Sequence, residues 1–198
     1  GLMTGIFLDQ HEVRDGLVNG LALGKSVLNM FSYTAAFSVA AAMGGAVETT
    51  SVDLAKRSRE LSTAHFEANG FSMGNHRLVV MDVFDYFKYA KKKGLSYDLI
   101  VIDPPSFARN KKRTFSANKD YHKLIAQSLD ILSEHGTIIA STNAANMTVQ
   151  QFKKQLRKGL GDVSADFVNL QQLPADFTVN PNDPTSNYLK VYTIKVNK

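Results

Sequence analysis

Val27-Leu28-Asn29-Met30-Phe31-Ser32-Tyr33-Thr34-Ala35-Ala36-Phe37-Ser38-Val39 runs from an aliphatic, strand-like stretch through a turn of small and hydroxylated residues into a helix-like one. The same succession recurs along the chain. Short β-branched or aliphatic runs stand at Val27–Phe31, Val47–Val52, Leu78–Met81, Leu99–Ile102 and Thr137–Ala140. Helix-like stretches stand at Ala35–Met43, Leu54–Asn69, Val83–Lys93, Tyr121–Leu132 and Val149–Leu160. Strands that alternate with helices of this length predict βαβ units around a parallel sheet. Strands that are apolar throughout fit a sheet covered on both faces.

Two further strand candidates follow, Phe167–Leu170 and Leu189–Val196, the second with a period of two. The expected fold is therefore α/β: a Rossmann-like, doubly wound sheet of seven strands, mostly parallel, with a late antiparallel strand. Punctuation agrees. Asp53 precedes one helix and Gly70 follows it; Asp82 precedes another, with Asp85 three residues on, and Gly94 ends it. Pro174–Asn187, with three prolines, reads as a loop crossing to the final strand.

At 198 residues, 44% hydrophobic and 21% charged, the chain has the size and composition of one domain with its own core, which excludes a disordered chain. Cysteine is absent, which excludes a disulfide framework, a thiolate metal site and a Cys nucleophile within these residues. The five histidines show no metal-ligand spacing. No apolar run reaches the ~20 residues of a membrane helix, and no basic-then-apolar leader opens the chain. The expectation is a cytoplasmic protein without a membrane partner. Gly1-Leu2 ahead of Met3 reads as a cloning remnant, so the domain is taken as 3–198.

The net charge of +5 is unevenly spread. Residues 109–123 hold Arg109, Lys111, Lys112, Arg113, Lys119 and Lys123 against Asp120 alone, and the remaining residues balance. A neutral body with one basic loop points to a docked polyanion. Lys91-Lys92-Lys93, at a helix end where cations suit the dipole, reads as a solvated face.

In a doubly wound sheet, ligands bind beyond the carboxyl ends of the strands. The Phe31–Ala36 turn follows the first strand, Asp53 the second, Asp82 the third, and Asp103-Pro104-Pro105-Ser106-Phe107 the fourth. An acid 19 residues after Thr34, at the end of strand two, is placed to hold ribose hydroxyls. The first turn has no GxGxxG, which disfavours NAD and FAD, and no GxxxxGK[ST] occurs, which disfavours a P-loop nucleotide. The common adenosine cofactor that remains is S-adenosyl-L-methionine. Asp53 and Asp82 also have a plainer reading as helix N-caps. The two prolines after Asp103 can neither extend a ladder nor enter a helix interior, so they set a rigid turn. That turn lets a carboxylate face a planar substrate, with Phe107 to stack on it.

On these residues the chain resembles the class I S-adenosylmethionine-dependent methyltransferases, over nearly its whole length. Within them it is similar to the catalytic domain of bacterial large-subunit ribosomal RNA methyltransferases with PUA-type or THUMP-type RNA-binding appendages. Thr4–Gln10 with Arg14 resembles the family's TGFFLDQR segment, Val27–Val39 its VLDLFSYTGGFSV, Asp98–Arg109 its FDLIVLDPPSFAR, and Tyr188-Leu189-Lys190 its late YLK. Ser51-Val52-Asp53 and Asp82-Val83-Phe84 match its second and third cofactor motifs.

The resemblance implies that Phe7, Asp9 and Gln10 lie beside the cofactor or the substrate entrance, and that Phe31, Tyr33 and Thr34 shape the methionine side. It implies that Asp53, with Leu54, takes the ribose, that Asp82, with Val83, takes the adenine amino group, and that Asp103, Pro104 and Pro105 meet the target base. It also implies an RNA partner and an RNA-binding region preceding this domain, making the chain a C-terminal fragment. Ala35-Ala36 stand where the family has Gly-Gly, and β-carbons there are expected to narrow the pocket or exclude a positive φ. Ser141-Thr142-Asn143 stands where 5-methylcytosine members have Ser-Cys-Ser. Cytosine C5 needs a thiolate added at C6, and Thr142 is no thiolate. Members that form 7-methylguanine also lack the Cys and show Asn here, as Asn143 does.

The expected chemistry is direct transfer to a base nitrogen, guanine N7 first, with Arg109, Lys111, Lys112, Arg113 and Asn143 on the RNA. The alternatives are a methyltransferase acting on DNA or protein, and a binding module without chemistry. A nicotinamide oxidoreductase is set aside by the missing glycines.

Overall fold

The computed structural model describes residues 5–109 and 113–198. Lys111 and Lys112 lie outside them, as do Gly1–Thr4.

A 3-10 turn at Leu8–Gln10 leads into α1 (His11–Gly16), which runs into a π turn at Leu17–Leu21. Then follow β1 (Ser26–Met30), α2 (Ala36–Met43), β2 (Glu48–Asp53), α3 (Lys56–Ala68), β3 (His76–Val80), α4 (Val83–Lys93) and β4 (Tyr97–Ile102). A hairpin of β5 (Phe107–Arg109) and β6 (Thr114–Ser116) precedes α5 (Ala117–Leu129), β7 (Leu132–Thr142), α6 (Val149–Leu160), β8 (Ser164–Gln171) and β9 (Lys190–Asn197).

The main sheet has seven strands in the order β3-β2-β1-β4-β7-β9-β8. Pairings from β3 to β7 are parallel, and β9 is antiparallel to both neighbours. The fold class expected from the alternation is the one observed. Alternate residues of β1 and β4 feed opposite layers. Leu28, Met30, Ile100 and Ile102 pack with α4, α5 and α6. Val27, Leu99 and Val101 pack with α1 and α2, and Phe66 of α3 packs on Ala35 and Val39.

Where element edges differ from the sequence expectation, side-chain hydrogen bonding and burial explain the shift. Helix α3 starts at Lys56 rather than Leu54, because the Asp53 carboxylate takes the Ala55 N–H at 2.9 Å and keeps residues 54–55 in a turn. Helix α5 spans Ala117–Leu129 rather than Tyr121–Leu132. Its buried stripe is Ala117, Tyr121, Leu124, Ile125 and Ser128, while Leu132 already pairs with Tyr97 of β4. Helix α1 and the β5–β6 hairpin were not expected; α1 is one short turn and a half, and each hairpin strand has three residues.

The strand order reverses between β1 and β4. Both strands end there in motif residues, the Phe31–Ala35 turn and Asp103-Pro104-Pro105. The crevice at such a reversal is where ligands of doubly wound sheets bind.

Candidate active site

A cavity of about 690 Å³ opens at that reversal, within the range of small-molecule sites. Phe7, Asp9, Gln10, Phe31, Tyr33, Thr34, Asp53, Leu54, Asp82 and Val83 all line it, as do Asp103, Pro104, Pro105, Phe107, Arg109, Arg113 and Asn143. Every described residue proposed from sequence for a ligand thus borders one space.

One wall is the turn after β1. Phe31, Tyr33 and Ala35 have φ of 60°, 49° and 61°, the left-handed region that costs a non-glycine residue roughly 1–2 kcal/mol. The expectation that β-carbons exclude a positive φ at Ala35 is therefore corrected. Surrounding bonds hold the turn in place. Ser32 N–H donates to the Val52 carbonyl at 3.0 Å, Ala35 N–H to the Ser32 carbonyl at 2.7 Å, and the Thr34 hydroxyl to the Gly5 carbonyl at 2.5 Å. Tyr33 N–H donates to Asp53 Oδ2 at 2.9 Å.

The plainer N-cap reading holds for one acid and fails for the other. Asp82 caps α4, its Oδ1 accepting from Phe84 N–H at 3.0 Å and Asp85 N–H at 3.3 Å. Asp53 does not cap α3, whose N-cap position is Ala55. Its carboxylate instead joins the Tyr33 turn to the start of the α3 segment and borders the cavity.

Across the cavity, Asp103 follows β4 on a bed of buried groups. Gln10, almost fully buried, donates from Nε2 to Asp103 Oδ2 at 2.9 Å, and Ser141 donates to Gln10 Oε1 at 3.2 Å. The Tyr121 hydroxyl lies 2.8 and 2.9 Å from the carbonyl oxygens of Ile102 and Ser141, stitching the ends of β4 and β7. Burial pushes the Asp103 carboxyl up to about 6, against the opposing pull of Ser141 and Gln10. At neutral pH it is mainly ionised and poorly solvated, so a cation forming beside it is strongly stabilised. Gln10, matched from sequence to the cofactor side, thus also holds Asp103.

The rim is more open. Phe107 is 61% exposed beside the cavity, and the Ser106 hydroxyl donates to Asn143 Oδ1 at 2.8 Å. Arg113 donates to Asp85 Oδ1 at 2.7 Å, lies 3.6 Å from Asp82 and stacks 5.0 Å over the Phe84 ring. This guanidinium fastens the hairpin to the start of α4, a contact the sequence reading, which gave it to RNA phosphate, did not anticipate. Thr142, at the Cys position of the motif, is fully buried; its hydroxyl accepts from Ala144 N–H at 3.3 Å, and it does not line the cavity.

Sequence reading missed several wall residues. Arg14 lines the cavity and donates to the Phe7 carbonyl at 2.7 Å, and Ser106 and Phe115 line it too. Arg14 and Ser106 both sat within quoted motifs; Phe115 had no signal. Lys190 is buried, donating to the Ala144 and Tyr188 carbonyls at 2.9 and 2.8 Å, and so braces the loop that carries Asn143.

Residues 2–190 match the S-adenosylmethionine-dependent methyltransferase family model. The chain belongs to this family. The methyltransferase fold is matched at high identity by the solved structure of SMU.776 complexed with SAH: TM-score 0.96, 72% identity, 99% of this chain and 51% of that one. YwbD of Bacillus subtilis is 48% identical over 98% of this chain and 50% of its own length. Ribosomal RNA large subunit methyltransferase K of Neisseria meningitidis serogroup B is 36% identical over 89% and 48%. The chain spans about half the length of these relatives. Its cavity suits the family's cofactor, S-adenosyl-L-methionine. It has the volume, carboxylates at two successive strand ends, and no glycine-rich phosphate cradle. Among the described residues no helix is long and apolar enough to cross a membrane.

Proposed function

We propose that this chain is the catalytic region of a methyltransferase acting on large-subunit ribosomal RNA, and that it transfers methyl directly to a base nitrogen, guanine N7, without a covalent enzyme intermediate. The observation that carries this reading is Asp103: a half-buried carboxylate on a double-proline turn, facing the cavity in a chain without any thiol. The name of the relative from Neisseria meningitidis, ribosomal RNA large subunit methyltransferase K, supports an RNA substrate.

Asp53 and Leu54 hold the ribose, Asp82 and Val83 the adenine, and Phe7, Asp9, Phe31, Tyr33 and Thr34 enclose the methionine end. The bound cofactor supplies an electrophilic methyl on a sulfonium. Phe107 stacks the target base, which must leave its helix to reach the site. Pro104 and Pro105 fix the plane against which it lies. The N7 lone pair forms the new N–C bond as the C–S bond breaks and its electron pair returns to sulfur. No proton is lost, and the base becomes cationic beside Asp103. Most of the acceleration comes from alignment, which can contribute ~7–11 kcal/mol.

Asn143 favours guanine over adenine. Its Oδ1 is taken by the Ser106 hydroxyl, so the amide presents N–H groups to the cavity. Beside N7, guanine offers the O6 acceptor where adenine offers an amino donor, so an amide N–H to O6 selects guanine and leaves the N7 lone pair for the methyl. Arg109, with Lys111 and Lys112 close by in sequence, meets flanking phosphates.

The test is to offer labelled S-adenosyl-L-methionine with large-subunit ribosomal RNA, DNA and protein, then digest each product for mass spectrometry. Label in 7-methylguanosine is expected. Label in DNA or protein favours the alternative substrates, and cofactor binding with no transfer to any polymer favours a non-catalytic module.

A further inference from the structure

Folding sorts charge by layer. Helices α1, α2 and α3, on one side of the sheet, carry as many carboxylates as Lys and Arg. Helices α4, α5 and α6, on the other, carry ten cations against Asp85 and Asp120. Counted along the chain this asymmetry vanishes, because the acids that balance these lysines lie in other layers. It is strongest on α6, which has Lys153, Lys154, Arg157 and Lys158 and no acid.

From this we infer that the exposed face of α5 and α6 is a second docking surface for nucleic acid, along which the phosphates flanking the target base run. The inference rests on the RNA reading above and extends it away from the cavity. Lys154, Arg157 and Lys158 are exposed, and with Lys119 they make no ion pair among the described residues. Arg157 Cζ and Lys153 Nζ lie 5.0 and 5.1 Å from the Phe167 ring centroid, so both charged heads gather around that ring. The nearby carboxylates are few. Asp120 pairs with Lys123, Asp130 pairs with Lys91, Asp166 accepts from Asn197, and Asp162 stands just past α6.

The surface is continuous with the site. Helix α5 follows the hairpin directly and α6 follows the Asn143 loop. Asn118 Nδ2 donates to Asn146 Oδ1 at 3.1 Å, tying the two openings together. Gln155 then joins the helices, donating to the Asn118 carbonyl at 2.8 Å. A helix of 12 residues is ~18 Å long. At ~3.4 Å of duplex axis per phosphate of one strand, that length matches about five base-pair steps. The outward positions of α6 are Gln150, Gln151, Lys154, Arg157 and Lys158, with no apolar side chain to enter a lipid surface.

The experiment measures binding of a fluorescein-labelled RNA hairpin by anisotropy across a salt series, for the wild type, K154E/K158E and R59E/R77E. The last pair lies on α3 and β3, away from the proposed surface. K154E/K158E should weaken binding about tenfold or more at ~0.1 M salt and lower the salt slope by about 1.4–2. R59E/R77E should stay within about twofold, since it removes only distant charge. All three should bind SAH alike by calorimetry, which shows that each is folded. Equal losses in both pairs, or none in K154E/K158E, overturn the surface. So does tighter binding of the wild type to phosphatidylserine vesicles than to the hairpin. Methyl transfer to RNA that is indifferent to K154E/K158E leaves the substrate reading standing without this surface. A wild type that labels only DNA or protein removes the substrate reading itself.

Discussion

The wall of the cavity at the Phe31–Ala35 turn, proposed above for the cofactor, and the wall at Asp103, proposed for the base, are held differently. On the Phe31–Ala35 side, three non-glycine residues sit at positive φ, and Tyr33 N–H is anchored on Asp53, an acid 20 positions away in sequence. Its shape is enforced by backbone hydrogen bonds and by buried packing of Ala35 and Val39 on α3. On the Asp103 side, Gln10 and Ser141 support the carboxylate and buried Lys190 braces the Asn143 loop. Phe107 projects into solvent, and the hairpin is clamped through Arg113. Under the function proposed above, a cofactor of constant shape would meet a preformed wall, whereas a base drawn from a larger polymer would meet a carboxylate on a rigid turn amid adjustable side chains. Damage on the first side should therefore cost affinity and stability together. Damage on the second should cost catalysis while leaving the fold intact.

Asp103→Asn breaks this contrast most sharply. Methyl transfer should fall by at least ~100-fold, the scale of losing one electrostatic stabiliser, while SAH affinity in calorimetry stays unchanged. The fold should gain stability. A carboxyl raised from 3.8 to about 6 in the native state binds more protons folded than unfolded between those values. Wild-type stability therefore falls as pH rises from ~4 to ~6, and the penalty persists above. At 1.36 kcal/mol per unit, removing it is worth roughly 1–3 kcal/mol near neutral pH. Denaturant titrations of both proteins at two pH values measure this. Wild-type turnover should also decline as pH drops below about 6, where the carboxylate takes up its proton.

Asp53→Ala should do the reverse. Both Tyr33 N–H and Ala55 N–H lose their acceptor, costing on the order of 1–3 kcal/mol of stability, and SAH binding should weaken at least tenfold in calorimetry. Smaller again is Phe107→Ala. An exposed ring contributes little to folding, within ~0.5 kcal/mol, but base stacking is worth ~1–3 kcal/mol. Transfer to RNA should drop about tenfold with the melting temperature unmoved. Arg113→Ala should have the least effect. It frees the hairpin from Asp82 and Asp85, raising KM for the cofactor a few-fold, as expected for a partly exposed ion pair worth about 1 kcal/mol or less.

Much of the architecture was legible because it depends on local pattern. Seven apolar runs became seven strands, and Val83–Lys93 and Val149–Leu160 are helices with those bounds. The acids at strand ends and the double-proline turn marked the cavity, since in this topology strand ends converge. What was hidden depends on contacts between distant residues. Gln10 supports Asp103 from 93 positions away, and Arg113 reaches back to α4. The positive φ of Ala35 overrode its own propensity because Ser32, Asp53 and the α3 packing determine the turn. Helix α1 and the hairpin strands are too short for periodicity to register. The segregation of charge across the sheet appears only once the helices are assigned to layers.

The central claim is cysteine-free transfer to a guanine nitrogen beside Asp103. It is tested most directly by treating large-subunit ribosomal RNA with methyl-deuterated S-adenosyl-L-methionine and either wild type or Asp103→Asn, then digesting to nucleosides. Deuterated 7-methylguanosine from the wild type, lost in Asp103→Asn, is the predicted result. Deuterium in 5-methylcytidine, or equal labelling by both proteins, would contradict it.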